Sequence, residues 1–259
     1  MGRKLATTRQ KYPQPISQES QKVIRLKFQP QARTAAQGFY LESLRTAPLT
    51  IGTGPAGSGK SFLCMAVGIE KLLANEVSKI VLTRPICEAG ENLGFLPGTF
   101  EEKISPYLRP LLDAMEELVG VTMAKKLLDT GKVEFAPLAY MRGRTFNNSY
   151  VILDEAQNTT IDQIKLFVTR AGNYSTFVVN GDASQCDLRG VTENGLEWIC
   201  RKLAGRTNMV NVVEFSYSDI QRSPLVAELL RHLDSPDAKP TATRHSFSDG
   251  VRQDGVRRA

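Results

Sequence analysis

The chain has 259 residues, of which 41% are hydrophobic and 23% charged, with a formal net charge of +6 at pH 7. That length suits one large domain with a substantial core, and that balance is the composition of an ordinary globular protein. No run of about 18 apolar residues occurs, which argues against a membrane-spanning helix, and the basic start MGRKLATTRQ lacks the apolar stretch of a secretory signal.

Residues 1–34 read as a basic, flexible tail. Arg3, Lys4, Arg9, Lys11, Lys22, Arg25, Lys27 and Arg33 are offset there only by Glu19. Two readings stand for it: a solvated segment rich in Gln, Ser and Pro, or an arm that neutralises the phosphates of a polyanion. Residues 235–259, with Arg252, Arg257 and Arg258, read as a second, disordered tail. Cys64, Cys87, Cys186 and Cys200 are scattered without metal or disulfide spacing, which suits reduced core thiols in a cytoplasmic protein.

Between the tails, short apolar runs alternate with longer stretches of helical spacing. Strands are predicted at Pro48–Thr53, Lys79–Thr83, Val133–Ala136, Tyr150–Leu153, Thr176–Asn180 and Val210–Phe215. Helices are predicted at Lys60–Ala74, Phe100–Val119, Thr160–Ala171, Glu193–Leu203 and Ser223–Leu233. Near-continuous apolar strands suit burial on both faces of a mostly parallel sheet flanked by helices, hence a single α/β domain over 35–234.

The first strand runs into GPAGSGKS, residues 54–61, a full match to the phosphate-binding pattern G-x-x-x-x-G-K-[ST]. Its place between a strand and a helix is what the chemistry requires. Gly54, Gly57 and Gly59 let the backbone fold so that successive N–H groups cup the phosphates, and the binding segment is Gly54, Pro55, Ala56, Gly57, Ser58, Gly59, Lys60, Ser61 and Phe62. The helix that follows offers its positive end. Lys60 would neutralise β- and γ-phosphate oxygens of ATP, and the Ser61 hydroxyl would hold Mg²⁺.

The strand YVIL ends abruptly in Asp154–Glu155. Unpaired charge at the end of a buried strand is costly, so partners are expected. Asp154 would hold Mg²⁺ and Glu155 would polarise the attacking water as general base. An acid directly after the metal-binding Asp argues for hydrolysis over transfer to a small acceptor. Gln157 and Asn158 come next, and Thr160 or its neighbour caps the following helix. Beyond TFVVN, the turn GDASQ places Gln185 where it could read the γ-phosphate or its water.

Taken together, GPAGSGKS, residues 83–115 (TRPICEAGENLGFLPGTFEEKISPYLRPLLDAM), residues 136–160 (APLAYMRGRTFNNSYVILDEAQNTT) and GDASQCDL closely resemble the PhoH family of ATPases, over roughly residues 35–233. The resemblance implies a RecA-like core similar to the first motor domain of superfamily 1 helicases. It also implies that Gln37 reads the adenine edge and that Arg84, followed by Pro85, touches a nucleic-acid backbone. Gln185 becomes the γ-phosphate sensor, and Arg222, in DIQRSPLV, an arginine finger; Ser223 stands where the family usually has His. Arg142 and Arg144 become candidates for nucleic-acid or trans-subunit contacts, against the plain alternative of surface ion pairs. With one RecA-like unit in the chain, the family pattern implies a homo-oligomeric ring, a hexamer, in which a neighbour supplies the arginine. Two functions compete. One is an ATP-driven motor or remodeller of RNA or single-stranded DNA; the other is a slow nucleotide switch that engages a protein partner.

Overall fold

A computed structural model describes residues 25–85, 100–188, 190–221, 225, 226 and 229. Contacts divide the chain into Met1–Arg222 and Ser223–Ala259, and the second unit is described only at three helical positions. Residues 1–24 of the first predicted tail, all of the second, Cys87, Arg222 and most of the helix predicted at 223–233 lie outside the described residues.

The first unit carries helices α1 (Ala35–Thr46), α2 (Lys60–Leu73), α3 (Phe100–Val119), α4 (Val121–Asp129), α5 (Ile161–Val168) and α6 (Gly195–Leu203). Its strands are β1 (Leu49–Thr53), β2 (Lys79–Thr83), β3 (Val133–Phe135), β4 (Ser149–Leu153), β5 (Thr176–Gly181) and β6 (Val210–Glu214). The six strands form one sheet in the order β3-β2-β4-β5-β1-β6. Every pairing is parallel, so the predicted sheet is present and is parallel throughout.

Alternation along each strand builds two cores, one per face. On one side Ile80, Leu82, Tyr150, Ile152 and Val178 pack against α1, α2, α3 and α4 through Leu44, Val67, Leu111 and Leu127. On the other, Val81, Val151, Leu153, Phe177 and Val179 meet Ile164 and Phe167 of α5 and Leu196 and Ile199 of α6. Phe167 and Phe177 meet edge to face at 5.1 Å between ring centroids. This two-sided burial explains why β2, β4 and β5 read as unbroken apolar runs.

Helix ends follow local chemistry. Thr160 and Asn194 begin α5 and α6 with reciprocal capping boxes to Gln163 and Glu197. Helices α5 and α6 are shorter than predicted, because residues 169–170 turn off after Val168 and Asn194 serves as a cap. Two helices, α1 and α4, have no counterpart among the predicted elements.

Parallel register brings the carboxyl ends of β1, β5 and β4 to one edge. Ile51 and Leu153 both stand level with Val179, so Asp154 and Glu155 emerge alongside the last residues of β1. In open parallel sheets that edge is where ligands bind. Ile152 is fully buried at the centre of this framework. Ile152→Ala should lower unfolding free energy by about 2–5 kcal/mol in urea titrations, with no change in slope.

Candidate functional site

The glycines of the cradle are dictated by conformation. Gly54, Gly57 and Gly59 have φ of 132°, 84° and 88°, a region side chains rarely enter. At Gly54 a Cβ would also lie 2.2 Å from the carbonyl oxygen of Phe215. Backbone bonds fix the loop from three sides: Gly54 N–H donates to Gly181 O at 3.2 Å, Gln221 N–H to Gly57 O at 2.9 Å, and Phe215 N–H to Thr53 O at 2.7 Å. Gly59 starts α2 without a side-chain cap, and no acid stands in its first turn, so the first amides of a 14-residue helix face the cradle.

Lys60 folds back into this loop. Its ammonium donates to Gly54 O at 2.6 Å, Pro55 O at 2.9 Å and Ser58 Oγ at 3.1 Å. Burial pushes the Lys60 pKa below its ordinary value, and the negative charges of Asp182, Asp154 and Glu155 pull it back up. Gln37 stands behind the loop: its Nε2 donates to Ser58 O at 3.0 Å, while its Oε1 accepts from Arg33 N–H at 2.8 Å. The amide predicted to read adenine thus braces the cradle here.

Across the loop, Ser61 Oγ donates to Asp154 Oδ1 at 2.9 Å. Asp154 is 5% exposed. Burial raises its pKa, Glu155's charge adds to that, and Arg84, the Ser61 hydroxyl and Lys60 oppose it. Glu155 has φ 56° and ψ 41°, the left-handed turn that swings the chain off β4 into a short 3₁₀ turn, Ala156–Asn158. Its two carboxylate oxygens go to different donors, Arg84 Nη2 to Oε1 and Gln157 Nε2 to Oε2, each at 2.6 Å.

A second turn, Ala183–Gln185, follows β5, and Asp182 caps it by accepting from Ser184 N–H and Oγ at 3.1 and 2.7 Å. The other oxygen of Asp182, Oδ2, is buried without a hydrogen-bond partner among the described residues. Lys60, Ser61, Asp154, Glu155, Asp182 and Gln185 line one cavity of about 380 Å³, floored by Ala56, Gly57, Gly59 and Phe62 and closed on one side by Pro110 and Ala114 of α3.

These residues fit a nucleotide and its metal. Ser61 and Asp154 pair two hard oxygen donors of the kind Mg²⁺ takes alongside phosphate oxygens, and Asp182 Oδ2 is a buried acceptor still short of a donor. The predicted cradle residues, Asp154, Glu155 and Gln185 come together. Arg84, Arg142 and Arg144 do not line the cavity, and Arg222 lies outside the described residues. Arg84 sits on Glu155, Arg144 pairs with Glu134 and lies 4.6 Å from the Phe146 ring, and Arg142 is exposed on the surface. Sequence reasoning assigns no role to Gln157 or Asp182. They stand in the strings LDEAQN and GDASQ, and the available signal is a polar side chain within four residues of the end of a buried strand.

Residues 30–234 match a family model described as PhoH-like protein. The chain belongs to the PhoH-like family. Among relatives, the PhoH-like protein of Bacillus subtilis is 43% identical over 202 residues, covering 78% of this chain and 63% of that protein. Protein PhoH of Escherichia coli is 45% identical over 202 residues, covering 77% of this chain and 56% of that protein. The chain therefore spans only about three fifths of these PhoH-like relatives. Solved structures share parts of its outline: the large terminase of a thermophilic bacteriophage at TM-score 0.47 and 9% identity, over 80% of this chain and 51% of that one. The helicase domain of Pyrococcus furiosus Hef follows at TM-score 0.42 and 14% identity, over 71% and 38%. Family and cradle together place the chain among P-loop proteins. Among the described residues, no helix is long and apolar enough to cross a membrane.

Two stability outcomes follow from the geometry. Gly54→Ala should destabilise by about 2 kcal/mol or more in denaturant unfolding, from the φ and the clash with Phe215 together. Asp154→Asn should raise Tm by differential scanning calorimetry at pH 7. The native carboxyl, whose pKa is raised, holds its proton more tightly than the unfolded one. The ionised form therefore costs stability above both pKa values, a cost that a neutral amide removes.

Proposed function

We propose that this chain is a cytoplasmic, Mg²⁺-dependent ATPase that couples ATP hydrolysis to work on RNA or single-stranded DNA. The observation that carries the reading is the 2.9 Å hydrogen bond between Ser61 and Asp154, which joins the phosphate cradle to the acid pair at the end of β4. Lys60 would exchange the loop carbonyls for β- and γ-phosphate oxygens. Ser61 and Asp154 would hold the metal, which when bound offsets charge building on the phosphates. Glu155 would take the proton of the attacking water and Gln185 would sense the terminal phosphate. Gln37 keeps its proposed place beside the base, with its brace on Ser58 linking base recognition to the loop.

Among the described residues lining the cavity, Lys60 is the only cation. A further arginine contributed across the nucleotide is worth about 10³–10⁵ in rate in other NTPases, and a homo-oligomeric ring would let Arg222 of a neighbouring copy supply it. The nucleic-acid part of the reading is supported by the +6 charge and by Arg84. Its side chain is 20% exposed and in contact with Glu155. A nucleic-acid phosphate that draws this guanidinium outward would leave Glu155 Oε1 to water, and Arg142 and Arg144 would add contacts on the same polyanion.

Lys60→Ala should abolish turnover and weaken nucleotide binding, whereas Glu155→Gln should keep binding and lower turnover by about 10²–10⁴-fold. Wild-type rate in Glu155→Gln would remove Glu155 from the role of base. Single-stranded RNA should raise wild-type ATP turnover severalfold, less so as salt increases, and Arg84→Ala should lose most of that gain. A turnover indifferent to RNA and DNA favours the slow switch with a protein partner instead.

A further inference from the structure

We infer that Gln157 is a positioning residue that ties Glu155 to the turn carrying Gln185, so that the proposed base and the proposed phosphate sensor move as one unit. The inference rests on the ATPase reading above and adds to it a residue which that reading does not use.

The Gln157 amide is held in one orientation by its two neighbours. Asp182 N–H lies just beyond β5, where β4 has already turned away at Glu155 and can no longer offer a ladder carbonyl. A buried N–H needs an acceptor. Gln157 Oε1 supplies it at 3.1 Å. With the oxygen committed there, the NH₂ end of the same amide must point the other way, and it meets Glu155 Oε2 at 2.6 Å. The side chain has no freedom to do otherwise, because Gln157 is 1% exposed. Gly181 leaves room for it: a Cβ there would come within 2.6 Å of Gln157 Oε1 and 2.7 Å of Leu196 Cδ2.

Further bonds close the two turns onto each other. Cys186 Sγ donates to Gln157 O at 3.3 Å. Asn158 and Asp187 bond reciprocally, Asn158 Nδ2 to Asp187 Oδ2 at 3.0 Å and Asp187 N–H to Asn158 Oδ1 at 2.8 Å. Gln185 N–H in turn donates to Asp182 O at 3.0 Å, so the residue whose N–H Gln157 grips is the one on which the Gln185 turn is built. A shift of that turn therefore reaches the Glu155 carboxylate directly through the Gln157 amide. The Arg84 contact, on the opposite oxygen, comes from the residue after β2 and does not belong to this unit.

Gln157→Glu tests the idea in the full chain. It keeps an acceptor for Asp182 N–H and removes the donor to Glu155. Expected for Mg·ATP is a kcat at least about tenfold lower with KM changed less than about threefold, the pattern of a lost interaction that serves the chemical step. The reversed pair, Glu155→Gln with Gln157→Glu, again places a donor opposite an acceptor. Its Tm should recover relative to Gln157→Glu alone, while its turnover stays at the Glu155→Gln level. Wild-type kcat in Gln157→Glu overturns the inference and leaves the ATPase reading intact. So does an equal fractional loss when Gln157→Glu is added to Glu155→Gln, because a residue acting through Glu155 cannot be additive with its removal. A wild-type chain that does not turn over Mg·ATP overturns the ATPase reading itself, and the inference with it.

Discussion

The hydrogen bond between Ser61 and Asp154 spans a gap that the sheet creates. Strand β5 lies between β1, which delivers the cradle, and β4, which delivers the acids, so the two halves of the site never share a ladder. They meet only above the strand ends, where α2 begins and β4 stops. The parallel register sets the height at which they meet, with Ile51, Val179 and Leu153 level across three strands. A slip of one residue in either pairing would exchange the two faces of a whole strand and send each side chain into the wrong core, so the packing of both cores holds the site in place. The geometry of two polar side chains is in this sense a product of the apolar residues beneath them.

That support has to offset a cluster of buried charge. Lys60 and Asp154 are both nearly enclosed, and each has its pKa pushed by burial towards the neutral form. Two devices keep the cluster tolerable. The loop's own carbonyls surround the ammonium, and a hydroxyl and nearby cations face the carboxylate. Behind the loop, a polar network without formal charge does similar work: Tyr40 Oη donates to Asn180 Oδ1, and Asn180 Nδ2 donates to Cys64 Sγ at 3.2 Å. Burial pushes the Cys64 thiol well up, which leaves it a packing group rather than a nucleophile. Polar groups within a core restrict the arrangements it can adopt, provided that each is satisfied.

Much of this is legible in the sequence, and the reasons differ by element. Strands β2, β4 and β5 are visible because burial on both faces leaves their centres without a polar interruption, and the cradle because positive φ at Gly54, Gly57 and Gly59 demands the residue type that the pattern records. Helix α1 is not visible because its inward face is mixed: Tyr40, Leu41 and Leu44 share it with Gln37 and Ser43, which breaks the apolar period. Helix α4 buries only Ala124 and Leu127, too little to register over nine residues. The partnership of Arg84 with Glu155 spans 71 positions and depends on β2 and β4 being neighbours, which no local pattern encodes. Likewise the roles of Gln157 and Asp182 appear only once two turns from adjacent strands lie side by side.

The missing side chain at Gly181 has a wider consequence. Its space is taken by the carboxamide of Gln157 and a methyl of Leu196, 2.6 and 2.7 Å from where a Cβ would stand, so a branch there requires both side chains to shift. Positions 157 and 181 are therefore coupled: a side chain at the second would displace the Gln157 carboxamide, and with it the link to Glu155. The absence of one methyl group on the backbone is thus what lets a neighbouring strand's turn reach across to the acid.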